Sequence, residues 1–418
     1  MTGTARSFAA LRHRNFRLLW IGQVISFSGS MMQTAAILWH VSLLAPAGYK
    51  GIALGTVGLV RFVPIVLFSM VSGVVADVYD RRRVMLVTQS AMAVLAGVLG
   101  ALAWTGLQSV WPIYLLAGLT AVAGSFDGPS RQALIPNLVP REDLPNAISL
   151  NTIMFQISAV VGGPAFAASM LLGHIAWAYW LNAVSFVFVI IALLMMRGVG
   201  DAGPRHDHAP RELSLSAALD GLRFVFAQPL IRSSMLLDFF ATFFASANTL
   251  LPIFAQDILL VGEHGYGWLY AAQSVGALVG SAAMVRLVDR IDRRGVVLLW
   301  SVAGFGLATV AFGLTKSFWV MFACLALTGL TDTVSMVFRN VIRQMETPDH
   351  MRGRMVGVNM VFFMGGPQLG EIEAGLVANG FGAPASVVTG GIGCLVATAW
   401  IAARTPALRL YRRSVGTG

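Results

Sequence analysis

Charged residues are scarce in this chain of 418 residues. Only 11% of the residues are Asp, Glu, Lys or Arg, while 56% are hydrophobic, and the mean hydropathy is +0.73. Because a soluble globular protein carries about 25% charged residues, this composition excludes a water-soluble fold, and it equally excludes a disordered chain. The lipid bilayer, rather than water, is therefore the expected solvent for most of the chain.

Cysteine is almost absent as well, which excludes a disulfide-rich secreted fold. The two cysteines, Cys324 and Cys394, lie inside apolar stretches, where packing is favoured over a disulfide or a metal site. The chain also lacks the H-E-x-x-H and G-x-S-x-G sequences of metal-dependent and serine hydrolases, any His/Cys cluster and a nucleotide-binding P-loop. We therefore expect no cofactor, no metal and no enzymatic activity, with a membrane-integral enzyme as the less favoured alternative.

Long apolar runs, separated by Pro, Gly and charged residues, recur along the chain. Runs such as 181–196 and 296–315 are close to the ~20 residues that cross a bilayer as a helix. The runs predict twelve membrane-spanning helices, at 17–44, 52–76, 84–105, 110–134, 145–172, 175–197, 232–258, 266–288, 296–315, 318–343, 354–378 and 384–404. The segment 1–15 is polar and basic, so no cleavable signal is expected. The sequence thus predicts an all-α integral membrane fold with twelve transmembrane helices.

The twelve predicted helices form two bundles of six, over 1–197 and 231–418, joined by a cytoplasmic linker over 198–230. Four apolar residues of this linker recur at helical spacing: Leu215, Leu219, Leu222 and Phe226. The spacing predicts an amphipathic helix over 214–227. Such a helix either lies on the inner membrane face or is a plain linker helix covered by protein. We favour the linker.

The basic residues are distributed unevenly between the two predicted sides of the membrane. Of the 29 Lys and Arg residues, all but three fall in segments predicted to lie inside, among them Arg131, Arg339 and Arg343. The exceptions are Lys50, Lys316 and Arg61. This asymmetry predicts that both termini are cytoplasmic. It also accounts for the net charge of +10 without a nucleic-acid partner.

The two halves repeat each other in four places. Three of the paired segments are Asp77–Arg82 with Asp289–Arg294, Asp127 with Asp332, and Gly162-Gly163-Pro164 with Gly365-Gly366-Pro367. The fourth pairs Arg17 and Gln23 with Arg232 and Asp238. Four matches in the same order indicate an internal duplication of six helices.

A short loop sequence carries a family resemblance. Gly73-Val-Val-Ala-Asp77-Val-Tyr-Asp80-Arg81-Arg82-Arg83 resembles the loop signature of the major facilitator superfamily, with Asp80 where many members have Gly. Together with Ile135–Leu144, Gly221–Phe224 and the stretch 347–354, it is similar to the drug:proton antiporter branch that includes the enterobactin exporter. The resemblance implies two pseudo-symmetric six-helix bundles, a central site exposed alternately to each side, a small-molecule substrate and a proton gradient as the energy source. It also implies a monomer in the bacterial inner membrane.

The same signature suggests a cytoplasmic gate. We expect a latch in which aspartates cap a neighbouring helix and pair with arginines, and which breaks when the inner side opens. The residues assigned to it are Gly73, Asp77, Asp80, Arg81 and Arg82, with Asp289, Asp292 and Arg293 in the second half. The alternative is that the arginines only fix the loop inside. The two Gly-Gly-Pro sequences are expected to let helices pack closely.

Five carboxylates fall inside predicted spans, where an unpaired charge costs several kcal/mol. They are Asp127, Asp238, Asp332, Glu371 and Glu373, and we expect them to carry proton coupling or substrate binding. In related antiporters, acids of the seventh and tenth helices carry such roles, and the resemblance places these roles on Asp238 and Asp332. The alternative is purely structural pairing, of Asp127 with Arg131 and of Asp332 with Arg339.

One base, Arg61, also falls inside a span. We expect it to pair with Glu371 or Glu373 and close an outer gate, because the resemblance places spans two and eleven opposite each other. The two glutamates point ~200° apart on a regular helix, so both can face one cavity only if the helix unwinds near Gly365-Gly366-Pro367.

Six uncharged polar residues are candidates for a central cavity that is otherwise apolar: Gln33, Asn151, Gln156, Gln273, Asn359 and Gln368. Each taken singly fits a helix–helix hydrogen bond equally well. As a set they suit amphipathic solutes such as drugs or a siderophore-like metabolite. We therefore expect proton-coupled efflux, with uptake of a small nutrient as the alternative; the two-half repeat disfavours a channel.

Overall fold

A computed structural model describes residues 8–46, 48–197, 215–244, 247–288, 290–348 and 351–412. Within these ranges the regular structure is helical. The chain divides into two compact units: residues 1–45, 60–211 and 263–271 form the first, and residues 46–59, 212–262 and 272–418 form the second. The predicted bundle limits of 1–197 and 231–418 stay a prediction.

The first half of the chain contains six long helices. They are α1 (Arg14–Leu44), α2 (Lys50–Val78), α3 (Arg81–Trp104), α4 (Trp111–Leu134), α5 (Leu144–Met170) and α6 (Ala176–Met195). Short 3₁₀ helices at Ala9–Arg12 and Ile135–Asn137 lie at the ends of α1 and α4. Each of the first six predicted spans overlaps one of these long helices.

The second half begins with the predicted linker helix, α7 (Leu215–Ala227). The helices that follow are α8 (Pro229–Phe244), α9 (Leu251–Ile253), α10 (Gly262–Leu287), α11 (Arg294–Leu314), α12 (Phe318–Glu346), α13 (Arg352–Phe381), α14 (Ala383–Arg404) and α15 (Pro406–Arg409). Val225 of α7 is buried with Ile231 and Met235 of α8, while Leu222 and Phe226 are exposed. Part of the predicted apolar face of α7 therefore stays uncovered by protein.

The span predicted over 232–258 corresponds to one apolar segment, Pro229–Ile258, whose helix changes type along its length. After α8 the chain forms a 3₁₀ helix at Ala247–Leu250, the short α9 and a π-helix at Phe254–Ile258. Pro252 lacks an N–H to donate, so one backbone hydrogen bond of a regular helix cannot form there. The side chain of Asn248 bonds to that of Gln273 on α10.

In the described part of the chain, nine helical segments are long and apolar enough to cross a membrane. They cover α2, α3, α5, α6, α8 through the π-helix, α10, α11, α12 and α14. The other three long helices, α1, α4 and α13, carry polar side chains such as Gln23, Asp127 and Glu373 within their apolar runs. Twelve helices overlap the twelve predicted spans, but only nine meet this measure.

Small residues let the helices approach closely within each unit. In the first unit, Gly22 and Gly29 of α1 lie against α6, at Val189 and Asn182 respectively. In the second unit, Gly276 of α10 lies against Ala326 of α12. Close backbone packing of this kind is a main source of helix association in membranes.

Candidate functional site

The first unit buries a carboxylate, Asp127, on α4. Its side chain accepts hydrogen bonds from two residues of α3: Gln89 Nε2 at 2.8 Å and Thr88 Oγ1 at 3.2 Å, both to Oδ1. On its own helix, Arg131 Nε lies 3.9 Å from Oδ2. Asp127 and Arg131 are only 5% and 6% exposed. The i, i+4 pair expected from the sequence is therefore present, and it is held at the limit of ion-pair distance.

Arg131 packs against a pair of aromatic rings. Its guanidinium carbon is 4.5 Å from the centre of the Phe27 ring on α1 and 5.0 Å from that of Phe155 on α5. The two rings contact each other edge to face at 4.6 Å. Nε and Nη1 of Arg131 have no hydrogen-bond partner among the described residues. The rings stabilise this buried cation through their π faces while leaving N–H groups free to bind.

The second unit buries a triad of charges. Arg339 of α12 places Nη1 at 3.0 Å from Asp238 Oδ1 of α8 and Nη2 at 3.2 Å from Asp332 Oδ1 of its own helix. Asp238 and Arg339 are each 2% exposed, whereas the side chain of Asp332 is 36% exposed. One guanidinium thus joins two carboxylates, of which one is enclosed and the other accessible.

Arg343, one turn further along α12, extends the triad. It donates to the backbone oxygen of Arg339 at 3.2 Å, to Asn340 Oδ1 at 2.6 Å and to Asn359 Oδ1 of α13. Asn359, expected to line a cavity, therefore orients an arginine. The cluster joins α12 to α8 through the ion pair of Arg339 with Asp238, and to α13 through the hydrogen bond of Arg343 with Asn359.

In each cluster, protonation of a carboxylate breaks an ion pair with arginine. A carboxylate that becomes protonated releases its arginine, and the freed guanidinium must find another anion or be rehydrated. Asp332 is suited to such exchange because its side chain is accessible while its partner Arg339 is not.

Arg131, Arg339 and Arg343 belong to segments predicted to lie inside, and pairing with Asp127 and Asp332 is the alternative considered for the first two. All three are buried within helices and contact acidic or amide side chains, and both of those pairs are present. The sequence signal for these contacts is the spacing: Arg131 follows Asp127 by four residues, and Arg339 and Arg343 follow Asp332 by seven and eleven.

Glu371 and Glu373 lie on a continuous helix. The unwinding considered for Gly365-Gly366-Pro367 does not occur, since α13 is helical from Arg352 to Phe381. Glu373 Oε2 is buried without a hydrogen-bond partner among the described residues. Gly51, Gly55 and Gly58 of α2, in the second unit, pack on the side of α13 that carries Glu371. Arg61 is half-buried in the first unit, and its pairing with either glutamate stays a prediction.

The loop motif after α2 caps helix ends. Asp80 is the N-cap of α3 and accepts from the backbone N–H groups of Arg82 at 2.9 Å and Arg83 at 3.4 Å. Arg81 donates to the carbonyls of Ala76 and Ala133, near the ends of α2 and α4, and Arg82 donates to those of Leu193 and Leu194 near the end of α6. Asp80 thus caps its own helix, and the expected capping of a neighbouring helix by an aspartate of this motif stays a prediction. The Asp77 side chain lies outside the described part.

The second copy of the motif is built differently. Asp289 lies outside the described residues, and Asp292 and Arg293 are exposed. The start of α11 is held instead by a backbone bond from Gly295 N to Tyr411 O at 3.1 Å, next to α15. The two copies of the loop motif are therefore similar in sequence, but the described contacts at the start of α11 differ from those at the start of α3.

The Gly-Gly-Pro sequences lie in helix contacts. Gly162 faces Met31 of α1, and Gly163 faces the backbone of Gly267, which belongs to the first unit. In α13, Gly365 is buried and Gly366 faces Phe239 and Thr242 of α8. Pro164 and Pro367 lie inside continuous helices.

The remaining polar candidates differ in their surroundings. Gln33 accepts from Asn182 Nδ2 at 2.7 Å between α1 and α6, and Gln273 bonds to Asn248. Both make helix–helix hydrogen bonds. Asn151 and Gln156 are half-buried on α5, and Gln368 Oε1 is buried without a partner among the described residues.

Comparison with known proteins defines the class. The family model described as transmembrane secretion effector, MFS_3, matches residues 5–410. The chain is 27% identical to the enterobactin exporter EntS of Escherichia coli O1:K1 over 406 residues, which covers 96% of this chain and 94% of that protein. A solved bacterial homologue of the human lysosomal transporter Spinster, inward-facing and unoccupied, matches with a TM-score of 0.73 at 14% identity over the full length of both chains. A POT family transporter in complex with 5-aminolevulinic acid matches with a TM-score of 0.72 at 10% identity, over 94% of this chain and 96% of that one.

The helical fold, the apolar spans and the buried charge pairs are those of a multi-pass membrane transporter. The chain belongs to the transmembrane secretion effector family of the major facilitator superfamily, as the loop motif after α2 indicates. Its relatives and structural neighbours are transporters rather than enzymes.

Proposed function

We propose that this transporter exports amphipathic small molecules, such as drugs or a siderophore-like metabolite, in exchange for protons. The observation that carries the proposal is the triad of Asp238, Arg339 and Asp332, in which an accessible carboxylate shares a buried arginine with an enclosed one. Export is supported by the name of the Escherichia coli relative. Uptake of a nutrient by the same motion is the alternative.

The triad gives the proton a defined role. With both carboxylates ionised, Arg339 holds α8 and α12 together through Asp238. Protonation of Asp332 removes one of its two anions, so that Arg339 then pairs with Asp238 alone. Release of this proton on the other side of the membrane restores the triad. Asp127 and Arg131 supply a second exchangeable pair in the first unit.

The proposal includes the membrane location, the oligomeric state and the energy source of the transporter. The chain works as a monomer in the bacterial inner membrane with both termini in the cytoplasm, and its partners are the small-molecule substrate and the lipid bilayer. It uses the proton gradient and no cofactor, metal or nucleic acid. The arginines of the loop after α2 then lie at the cytoplasmic surface.

Transport in proteoliposomes tests the proposal. The purified chain is reconstituted under an imposed pH gradient and offered enterobactin and a lipophilic cation, tetraphenylphosphonium. We expect gradient-driven accumulation of one of these probes by the wild type and its loss in Asp238→Asn and Asp332→Asn. The matched control is Asp257→Asn, since Asp257 pairs with Lys50 at 2.9 Å outside the triad and is half-exposed. Unchanged gradient-driven transport in both triad variants would contradict the coupling assignment.

A further inference from the structure

The chain after α14 packs back onto the start of α11. Leu408 of α15 is buried in one apolar cluster with residues of α8, α11 and α12. Gly295 N donates to Tyr411 O at 3.1 Å, and the backbone of Leu408 lies so close to Gly295 that no side chain fits there. The hydroxyl of Tyr411 donates to Glu346 at the end of α12. Residues 404–412 and residues 290–294 therefore lie together at one end of the second unit.

These two segments carry a surplus of positive charge. Together they contain six arginines and one acid, Asp292, while Asp289, next to Arg290 in the sequence, lies outside the described residues. None of the exposed arginines forms a side-chain hydrogen bond or ion pair with another residue that the structure describes. These exposed residues, named here the basic surface, are Arg290, Arg293, Arg404, Arg409 and Arg412.

The loop of the first unit that repeats residues 289–294 uses its arginines differently. Arg14 and Arg82 donate to backbone oxygens at the end of α6, and Arg81 donates to those near the ends of α2 and α4. Arg83 lies 3.6 Å from Asp80. The chain itself therefore compensates the charge of these arginines. On the basic surface of the second unit, an anion from outside the chain has to do so.

Two tryptophans place the basic surface at the boundary between membrane and water. Trp300 of α11 and Trp400 of α14 are 71% and 50% exposed, and both helices are long and apolar enough to cross the membrane. Exposed tryptophans of spanning helices lie at the level of the lipid headgroups. At 1.5 Å per residue, Arg294 lies about 9 Å beyond Trp300 toward the helix end, and Arg404 lies about 6 Å beyond Trp400. The arginines are therefore at the depth of the lipid phosphates.

We propose that the basic surface binds the headgroup of an anionic phospholipid. The guanidinium groups of the two segments donate to the phosphate, a pairing that arginine geometry favours. A phosphate that contacts both segments also reinforces the attachment of residues 404–412 to α11. Phosphatidylcholine has no net charge and leaves the surplus of arginines uncompensated. This surplus is what separates the basic surface from an apolar helix face, which any lipid covers.

Photolabelling of the full chain in phosphatidylcholine nanodiscs tests the site. The two probes are phosphatidylglycerol and phosphatidylcholine with the same acyl chain, which carries a diazirine near its carbonyl group, and labelled peptides are mapped by mass spectrometry. We expect the phosphatidylglycerol probe to label peptides within 290–300 and 400–412 at least fivefold more than the phosphatidylcholine probe does. Fivefold is roughly the effect of a single basic residue near an anionic surface.

Two double variants with the same change of charge separate the basic surface from general attraction to the protein. Arg409→Gln with Arg412→Gln should lower labelling of these peptides by phosphatidylglycerol to the level of the phosphatidylcholine probe. Arg17→Gln with Arg141→Gln removes two exposed arginines of the first unit and should leave it unchanged.

Equal labelling by the two probes on the wild type would overturn the proposal, and that comparison needs no variant. An equal loss of labelling in both double variants would overturn it as well, because the attraction would then come from the net charge of the whole chain. Labelling does not depend on transport, so its outcome is independent of the proposed exchange of protons.

Discussion

Replacing Arg339 by methionine isolates two carboxylates in the second unit. Asp238 is 2% exposed and loses a partner at 3.0 Å, while Asp332, whose side chain is 36% exposed, loses a partner at 3.2 Å. Removing one member of a buried ion pair costs about 3–5 kcal/mol, because the remaining charge is buried alone. Most of this cost should come from Asp238. We therefore expect Arg339→Met to lower the free energy of unfolding by about 3–5 kcal/mol.

A second change should recover most of that loss. In Arg339→Met with Asp238→Leu, the buried pair becomes apolar, and such replacements are often neutral or stabilising by about 1–4 kcal/mol relative to the ion pair. Reversible unfolding in detergent micelles, followed by circular dichroism, measures both variants. The control is Asp257→Asn, which breaks a partly exposed pair and should cost about 1 kcal/mol or less. A cost below 1 kcal/mol for Arg339→Met, or a double variant no more stable than the single one, would refute the reasoning.

Three other predictions concern the first unit. Gly163→Ala places a methyl group against the backbone of Gly267 and should destabilise the protein. Gly128→Ala places its methyl group in open space and should stabilise the helix by roughly 0.5–1 kcal/mol. Thermal unfolding measures both variants. Asp80→Ala removes the N-cap of α3 and should cost about 0.5–2 kcal/mol in the same assay, while Asp80→Ser should cost far less. Arg131→Met removes the cation that packs against the Phe27 and Phe155 rings. If both the stability and the gradient-driven transport stay unchanged in this variant, the buried cation has no role.

The helices and one of the charge pairs could be predicted from local patterns. Apolar runs of about twenty residues mark spans regardless of how the spans pack, and the i, i+4 spacing of Asp127 and Arg131 brings two side chains together on any helix. Asp80 followed by arginines likewise marks the start of α3 as a capped helix.

Only part of the triad could be predicted in the same way. The pairing of Arg339 with Asp332, two turns away on α12, is one of the structural alternatives that the sequence offers. Arg339 also contacts Asp238 of another helix, and this contact depends on how α8 packs against α12 rather than on spacing along the chain. Hydropathy does not distinguish a loop arginine from a buried one, so it gives no sign of this second contact.

Proton movement coupled to substrate exchange tests the central claim most directly. Proteoliposomes that enclose a pH-sensitive dye are loaded with the transported probe, and the internal pH is recorded as the probe leaves. The account predicts proton entry with the wild type and with Asp257→Asn. In Asp332→Asn it predicts that exchange of labelled for unlabelled probe continues while proton entry is lost. Proton entry in Asp332→Asn at the wild-type ratio of protons to probe would contradict the assignment of coupling to this triad.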